Sequence, residues 1–314
     1  KIVAFENAFD KIFEIIEAEG WTDGGIVVED SLRLCLNLLR NNPSNQTFFK
    51  EGGYINRLRL AFDVFEVEDQ GWDAQKVANM LHVLHLVRTL VSPANPGQIT
   101  TACQQVILGR LSFVIFGKIM RKGFKENPVL DEIDSTGWEF KILKCLQAIS
   151  TSGVLSLLTT ILLASGIPAD VLTETINTLS EVIRGFNNNQ QQFLAVAAPS
   201  VPPRPALILL LMSMVNDKQP FSLRCAVLYC FQSYLFKNEA GQQAIVSSLL
   251  PASELQPVDI SAGQLLCGGL FSPDPVSNWL CSAALSHVFL GSDKLRAALL
   301  RVQLSTTAGT APAP

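Results

Sequence analysis

The chain has 314 residues, with 24 Lys and Arg against 28 Asp and Glu, and a formal net charge of −4. Charged residues are only 17% and apolar residues 48%, a composition that excludes bulk disorder and supplies a core large enough to need no disulfide or metal. So weak an acidic balance gives no general attraction to nucleic acid or anionic lipid, and no nucleic-acid partner is expected.

The first twenty residues carry Glu6, Asp10, Glu14, Glu17 and Glu19, which is not the basic start and apolar run of a signal peptide. Starting at Lys1 rather than Met, the sequence reads as a fragment or processed form. Asp30-Ser31 offers a cap for a helix on which Leu32, Cys35, Leu36 and Leu39 share a face, ending at Asn41-Asn42-Pro43. Residues 75–91 place Val77, Met80, Leu81, Leu84, Val87 and Leu90 on one stripe before Ser92-Pro93. Between Cys145 and Ala169 there is no charge, but Gln147, Ser150, Thr151 and Gly153 interrupt the run and Pro168 closes it. That is two short buried helices rather than a membrane span. Further helices are expected at 171–186, 223–236 and 278–290, with projecting loops at 216–220, 251–262 and 268–276. Strict alternation is nearly absent, so no sheet is expected.

Self-similarity organises these helices. The stretches LRLCLNLLRNNPSNQTFFKEGGYINRL, LSEVIRGFNNNQQQFL and LYCFQSYLFKNEAGQQAIVSSLL each contain an apolar helix, an Asn-bearing break, a Gln and a second apolar helix. Matching Phe48 to Phe193 gives 193 − 48 = 145, and Phe49 to Ile245 gives 245 − 49 = 196, three and four units of roughly 48 residues. Weaker copies lie at 84–106 and 141–158, and a last one starts near Ser282. The expectation is an all-α, armadillo/HEAT-like right-handed α-solenoid of about six to seven repeats over residues 1–304, with more repeats at the ends. Residues 305–314 (STTAGTAPAP) form a low-complexity, disordered tail.

Chemistry is sparse. The seven cysteines are odd in number and scattered through apolar helices, as reduced, buried cysteines are in a cytosolic protein. The sequon Asn45-Gln46-Thr47 would then be silent. His82 and His85 share a helix face, but no Cys or carboxylate stands at ligand spacing in sequence. Cys225 and Cys230 are five apart and make no clip. Residues 109–118 end in Gly-Lys with the wrong phosphate-loop spacing and Ile119 in place of Ser or Thr, and no GxSxG elbow occurs. His287 sits in an apolar run, and Glu66, Glu68 and Asp69 read as a solvated connection. Neither an enzyme nor a cofactor is expected. Asn37 resembles the asparagine of the third armadillo helix that grips extended peptides, but it aligns with Val182 and Ser233 at the offsets above. Without a ladder, importin-like peptide binding is disfavoured; an armadillo-type cargo or nuclear-transport adaptor stays as the alternative.

Residues 71–105 (GWDAQKVANMLHVLHLVRTLVSPANPGQITTACQQ), 202–235 (PPRPALILLLMSMVNDKQPFSLRCAVLYCFQSYL) and 261–272 (SAGQLLCGGLFS) resemble the general vesicular transport factor family, the Uso-type vesicle-tethering proteins of the Golgi, in its globular head. The likeness runs from about Val27 to Leu304. It implies a non-catalytic tether head acting in ER-to-Golgi and intra-Golgi traffic, cytoplasmic and peripheral on Golgi and transport-vesicle membranes. It also implies binding to a Rab GTPase in its GTP form, SNAREs and the conserved oligomeric Golgi complex. Homodimerisation through a coiled coil belongs to the full-length protein, and giantin and the cis-Golgi matrix golgin engage an acidic tail that this sequence lacks. No short family motif maps onto numbered residues. The surface chosen for testing is Asn37 with the Pro202, Pro203, Arg204 and Pro205 loop.

Overall fold

A computed structural model describes residues 7–66, 71–91, 153–249 and 260–299. The chain forms two units, residues 1–158 and 159–314. Expectations for 84–106 beyond Val91, for 141–152, for 251–259, for Cys103 and Cys145, and for the tail lie outside the described residues.

In the first unit, α1 (Ala8–Ala18) buries Phe9, Ile12, Phe13 and Ile16, the spacing of a one-faced amphipathic helix. It stops at Gly20, whose φ of 89° is the left-handed region, and a 3-10 turn follows at Trp21–Asp23. Helix α2 spans Ile26–Leu39 and starts from the extended Gly25. Asp30 and Ser31 therefore lie inside it rather than capping it, because the Gly24-Gly25 break sets the start one turn earlier. Its buried face is Val28, Leu32, Cys35, Leu36 and Leu39. Asn42 then accepts a bond from the Asn45 N–H (3.1 Å) and Pro43 occupies the first position of α3 (Pro43–Glu51), where a missing N–H costs nothing. Helix α4 (Tyr54–Leu58) and a second 3-10 segment (Arg59–Glu66) follow.

Helix α5 (Ala74–Val91) packs beside α2. It is buried on more sides than its stripe suggests: Val83 and Leu86 are sealed, while Leu81 is half-buried. The polar Asn79 belongs to this core. Its Nδ2 donates to the carbonyls of Thr22 (3.2 Å) and Gly24 (2.8 Å), and Lys76 Nζ lies 2.8 Å from Asp23 Oδ1. Both side chains lock the 3-10 turn onto α5.

Helix α6 spans Val154–Leu163. The second unit continues with α7 (Ala169–Ile183), α8 (Asn187–Leu194), β1 (Ala197–Ala198), β2 (Arg204–Pro205), α9 (Ala206–Val215) and α10 (Phe221–Leu235). After these come α11 (Glu239–Leu249), α12 (Ala262–Leu270), α13 (Pro275–Val288) and α14 (Asp293–Leu299). Helices α7, α10 and α13 stack side by side, burying among others Ile176, Leu179, Val227, Phe231, Leu280 and Val288. Each fully sealed Leu, Ile, Val or Phe contributes about 1.5–3 kcal/mol relative to exposure. One departure from the all-helical expectation is the two-residue antiparallel pair Ala197↔Pro205 and Ala198↔Arg204. The loop expected at 268–276 is shorter: residues 268–270 finish α12, whose start carries a reciprocal Ser261–Gln264 capping box, and Pro275 and Val276 begin α13.

The repeat is visible in the backbone. After α2, α7, α10 and α13 the chain turns through a left-handed residue: Asn41 (φ 53°), Gly185 (68°), Lys237 (53°) and Gly291 (77°), the usual way to end a helix. The intervals are 185 − 41 = 144, three units of 48, then 237 − 185 = 52 and 291 − 237 = 54. The period is thus longer in the second unit than roughly 48.

Candidate partner-binding surface

Surface loops in this fold are ordered by short polar bonds. In the β1–β2 hairpin, the Ala206 N–H donates to the Val196 carbonyl (2.8 Å) and the Ser200 N–H to the Ala198 carbonyl (2.8 Å). Ser200 Oγ donates to the Pro202 carbonyl (2.7 Å). Pro is suited to such an edge because it has no ladder N–H to lose. Pro202, Pro203, Arg204 and Pro205 are all exposed, and Val201 beside them is wholly so. The hairpin presents an apolar tip with a single cation, Arg204.

Asn37 is also exposed, on the stripe of α2 that carries Ile26, Val27, Asp30, Arg33 and Leu34. Arg33 pairs with Glu29 at 2.5 Å. Asn37 lies in the first unit and the hairpin in the second.

Hydrogen bonds set the register between repeats. Asn45 Nδ2 donates to the Leu38 carbonyl (2.7 Å) and Asn189 Nδ2 to the Val182 carbonyl (2.9 Å), so the offset is 144 rather than 145. Asn37 therefore corresponds to Glu181, not Val182. Glu181 is buried and accepts from the Tyr229 hydroxyl (2.7 Å), and Ser233 is sealed. Neither extends an asparagine ladder. Asn45 itself is 4% exposed, so the sequon amide is consumed inside the fold.

Two polar joints escaped sequence reasoning because their partners lie about fifty residues apart. Arg224, 4% exposed, donates from Nε to the Met214 carbonyl (2.8 Å) and from Nη2 to Asp274 Oδ2 and Ser277 Oγ (2.7 Å each). Asp274 also caps α13 by accepting from the N–H groups of Val276 (3.2 Å) and Ser277 (2.9 Å). Burial pushes the Asp274 carboxyl up, but these bonds, led by those from Ser277 and Arg224, outweigh it and hold it well below the usual carboxylate range. At the other joint the Arg184 guanidinium sits 4.0 Å over the Phe236 ring, with Lys237 Nζ at 5.5 Å.

The candidate chemical groups assemble little. His82 and His85 rings are 6.4 Å apart. The sequence showed no carboxylate near them, yet α2 brings Glu29 Oε1 to 3.8 Å from His82 Nε2. Burial, then the His85 and Arg33 charges, push His82 down, against a smaller raising by Glu29. Among the described residues no group of three or more His, Cys, Asp or Glu could hold a metal ion. A hollow of about 60 Å³ lined by Leu162, Leu172, Ile176, Leu210, Ser213 and Leu223 has no titratable group and is far below the several hundred Å³ of a metabolite pocket. His287 faces Gln232 (Nδ1 to Nε2, 3.2 Å). Cys35, Cys230 and Cys281 are buried thiols, whereas Cys225 and Cys267 are half-buried, and none of the five is in a disulfide. Burial pushes Cys230 up to about 12, against a smaller lowering by Ser180, and leaves it unreactive. No described helix is long and apolar enough to cross a membrane.

The family described as Uso1/p115-like vesicle tethering protein, head region, matches residues 187–312, and the armadillo tether-repeat of vesicular transport factor matches 69–110. The General vesicular transport factor p115 of Rattus norvegicus is 51% identical over 313 residues, 99% of this chain. The chain belongs to the Uso1/p115-like vesicle tethering family. It spans 28% of the rat relative's length. Intracellular protein transport protein USO1 of Saccharomyces cerevisiae is 36% identical over 129 residues, 40% of this chain and 7% of its own. The crystal structure of Uso1-2 superposes with a TM-score of 0.72 at 22% identity, covering 97% of this chain and 43% of that one. The fold is thus the all-α, armadillo-like solenoid of the Uso1/p115 head.

Proposed function

We propose that this chain is part of the head of a vesicle tether, a non-catalytic scaffold for traffic from ER to Golgi and within the Golgi. One observation carries the reading: half-identity to a general vesicular transport factor along 99% of the chain. In this reading the protein is cytoplasmic and peripheral on Golgi and vesicle membranes. It binds a Rab GTPase in its GTP form and engages SNAREs and the conserved oligomeric Golgi complex before fusion. Giantin, the cis-Golgi matrix golgin and homodimerisation belong to other parts of the full-length protein.

A GTPase effector discriminates only by differential contact with the two switch-loop states. The exposed hairpin Pro202–Pro205 with Arg204, and separately Asn37, are the surfaces proposed to make such contacts. The test is a titration of this chain against a Golgi Rab loaded with a non-hydrolysable GTP analogue or with GDP. Affinity at least tenfold higher for the GTP form, weakened by Arg204→Glu, is the expected result. Equal affinity for both forms sinks the Rab assignment. Capture of an extended basic peptide would instead favour the adaptor reading, against which the buried Glu181 and Ser233 weigh.

A further inference from the structure

In three repeats the fourth residue of the short second helix (α3, α8 and α11) is glutamine: Gln46, Gln190 and Gln242, at intervals of 144 and 52, in step with the left-handed helix ends. What two of these amides do is the same in detail. Gln190 Nε2 donates to the carbonyls of Ser233 (3.2 Å) and Phe236 (2.9 Å), at the end of α10. Gln242 Nε2 donates to the carbonyls of His287 (3.2 Å) and Leu290 (3.3 Å), at the end of α13. Each glutamine thus reaches out of its own repeat, α7–α8 or α10–α11, and bonds two carbonyls, three residues apart, at the end of the first helix of the next, α10 or α13. Gln46 donates to the Leu39 carbonyl of its own repeat (2.9 Å).

The physics favours this arrangement. The last four carbonyls of a helix have no intrahelical partner and carry the negative end of the dipole. A primary amide supplies two N–H groups on one nitrogen, so one side chain can bond two carbonyls around a helix end at once; the His287 carbonyl accepts from the Leu290 N–H as well (3.3 Å). Gln190 is fully buried, so the bonds it makes are not exchanged for water.

We propose that Gln190 and Gln242 are inter-repeat clamps, a conformational device that passes order from each repeat to the next in the direction of the chain. The clamp fixes the end of the long helix that opens the following repeat, and with it the rotation between neighbouring repeats, in a way apolar packing alone does not. The amide's donors are what matter. Arg296 stands 54 residues after Gln242, the interval from Lys237 to Gly291, so a cationic donor is native to this register.

Hydrogen exchange read by mass spectrometry on Gln242→Leu, Gln242→Glu and Gln242→Arg tests the proposal. Gln242 is half-exposed, so these variants are expected to fold, which circular dichroism verifies. Leu and Glu should speed exchange of the amides in 284–291 by about tenfold, the cost of one or two hydrogen bonds. Glu should be the worse because it sets a carboxylate against the negative helix end. Arg should keep exchange near wild type, and α11, which carries the substitution, should be unchanged in all three. Gln190→Leu should likewise speed 230–238, leaving α8 protected. Faster exchange confined to α11, an Arg variant no better than Leu, or no change in 284–291 would each overturn the clamp.

Discussion

In the first unit, Phe9, Phe13, Trp21, Phe49 and Tyr54 meet ring to ring at centroid separations of 5.2 to 5.8 Å. In the second unit the described ring pair is Phe193–Tyr234 at 6.3 Å, and the ends of neighbouring helices are tied by Arg224 and by the amides of Gln190 and Gln242. Ring packing yields energy in proportion to area and tolerates small rotations. Hydrogen bonds to particular carbonyls yield less energy but admit a narrow range of angles. Both units carry bonded joints, Asn79 in the first and Arg224 in the second; the first adds a cluster of five rings, and the second adds bonds between the ends of neighbouring helices.

The largest effect should come from Leu228→Asp. Leu228 is 3% exposed, so the carboxylate would be buried without a partner, costing about 5 kcal/mol and abolishing the cooperative melt of the second unit. Leu81→Asp is the control in the first unit: half-buried, its new charge reaches water, and the loss of melting temperature should be far smaller. Equal losses would mean that exposure does not decide the cost.

Phe49→Ala comes next. It removes a sealed ring touching Phe9, Phe13 and Tyr54 and should cost about 3–5 kcal/mol by denaturant titration. Arg224→Met should cost about 3 kcal/mol, because it removes the cation paired with Asp274 and the side-chain donor to the Met214 carbonyl. A loss below about 1 kcal/mol would show that the joint is ornamental to stability.

The smallest effects are in pH, and they differ in sign between the units. The folded Asp274 carboxyl titrates below its unfolded value, so its contribution is present above the ordinary carboxylate range and is lost as pH falls through and below it. Tyr54, pushed up to about 12 by burial and by its 2.7 Å bond to Asp10, contributes below pH 10 and loses that contribution as pH rises toward 12. Exchange measured across pH should show the start of α13 softening in acid and the surroundings of Tyr54 softening in alkali. Arg224→Met and Tyr54→Phe should flatten the respective limbs.

The helices and their period were legible because 3.6-residue spacing survives in Leu32, Cys35, Leu36 and Leu39, and because each break repeats its Asn and Gln. The start of α2 was not: Asp30 and Ser31 are good caps locally, but Gly25 supplies the extended residue earlier. The hairpin was not, since a two-residue pair leaves no alternation to read. Nor was the fate of the polar residues. Asn79, Gln190 and Arg224 look like surface residues in sequence, and only the partners brought by other helices make their burial affordable. Asn37 was legible as exposed but not in its true register, which the bonds of Asn45 and Asn189 fix.

The burial of Asn45 makes glycosylation and folding mutually exclusive for this chain. Its side-chain nitrogen, the atom a glycan would be joined to, is the donor to the Leu38 carbonyl. A copy passed through a glycosylating compartment would be modified while still extended, and the sugar would then deny α3 its seat against the end of α2. In the folded chain the sequon is therefore closed by packing, whatever compartment surrounds it.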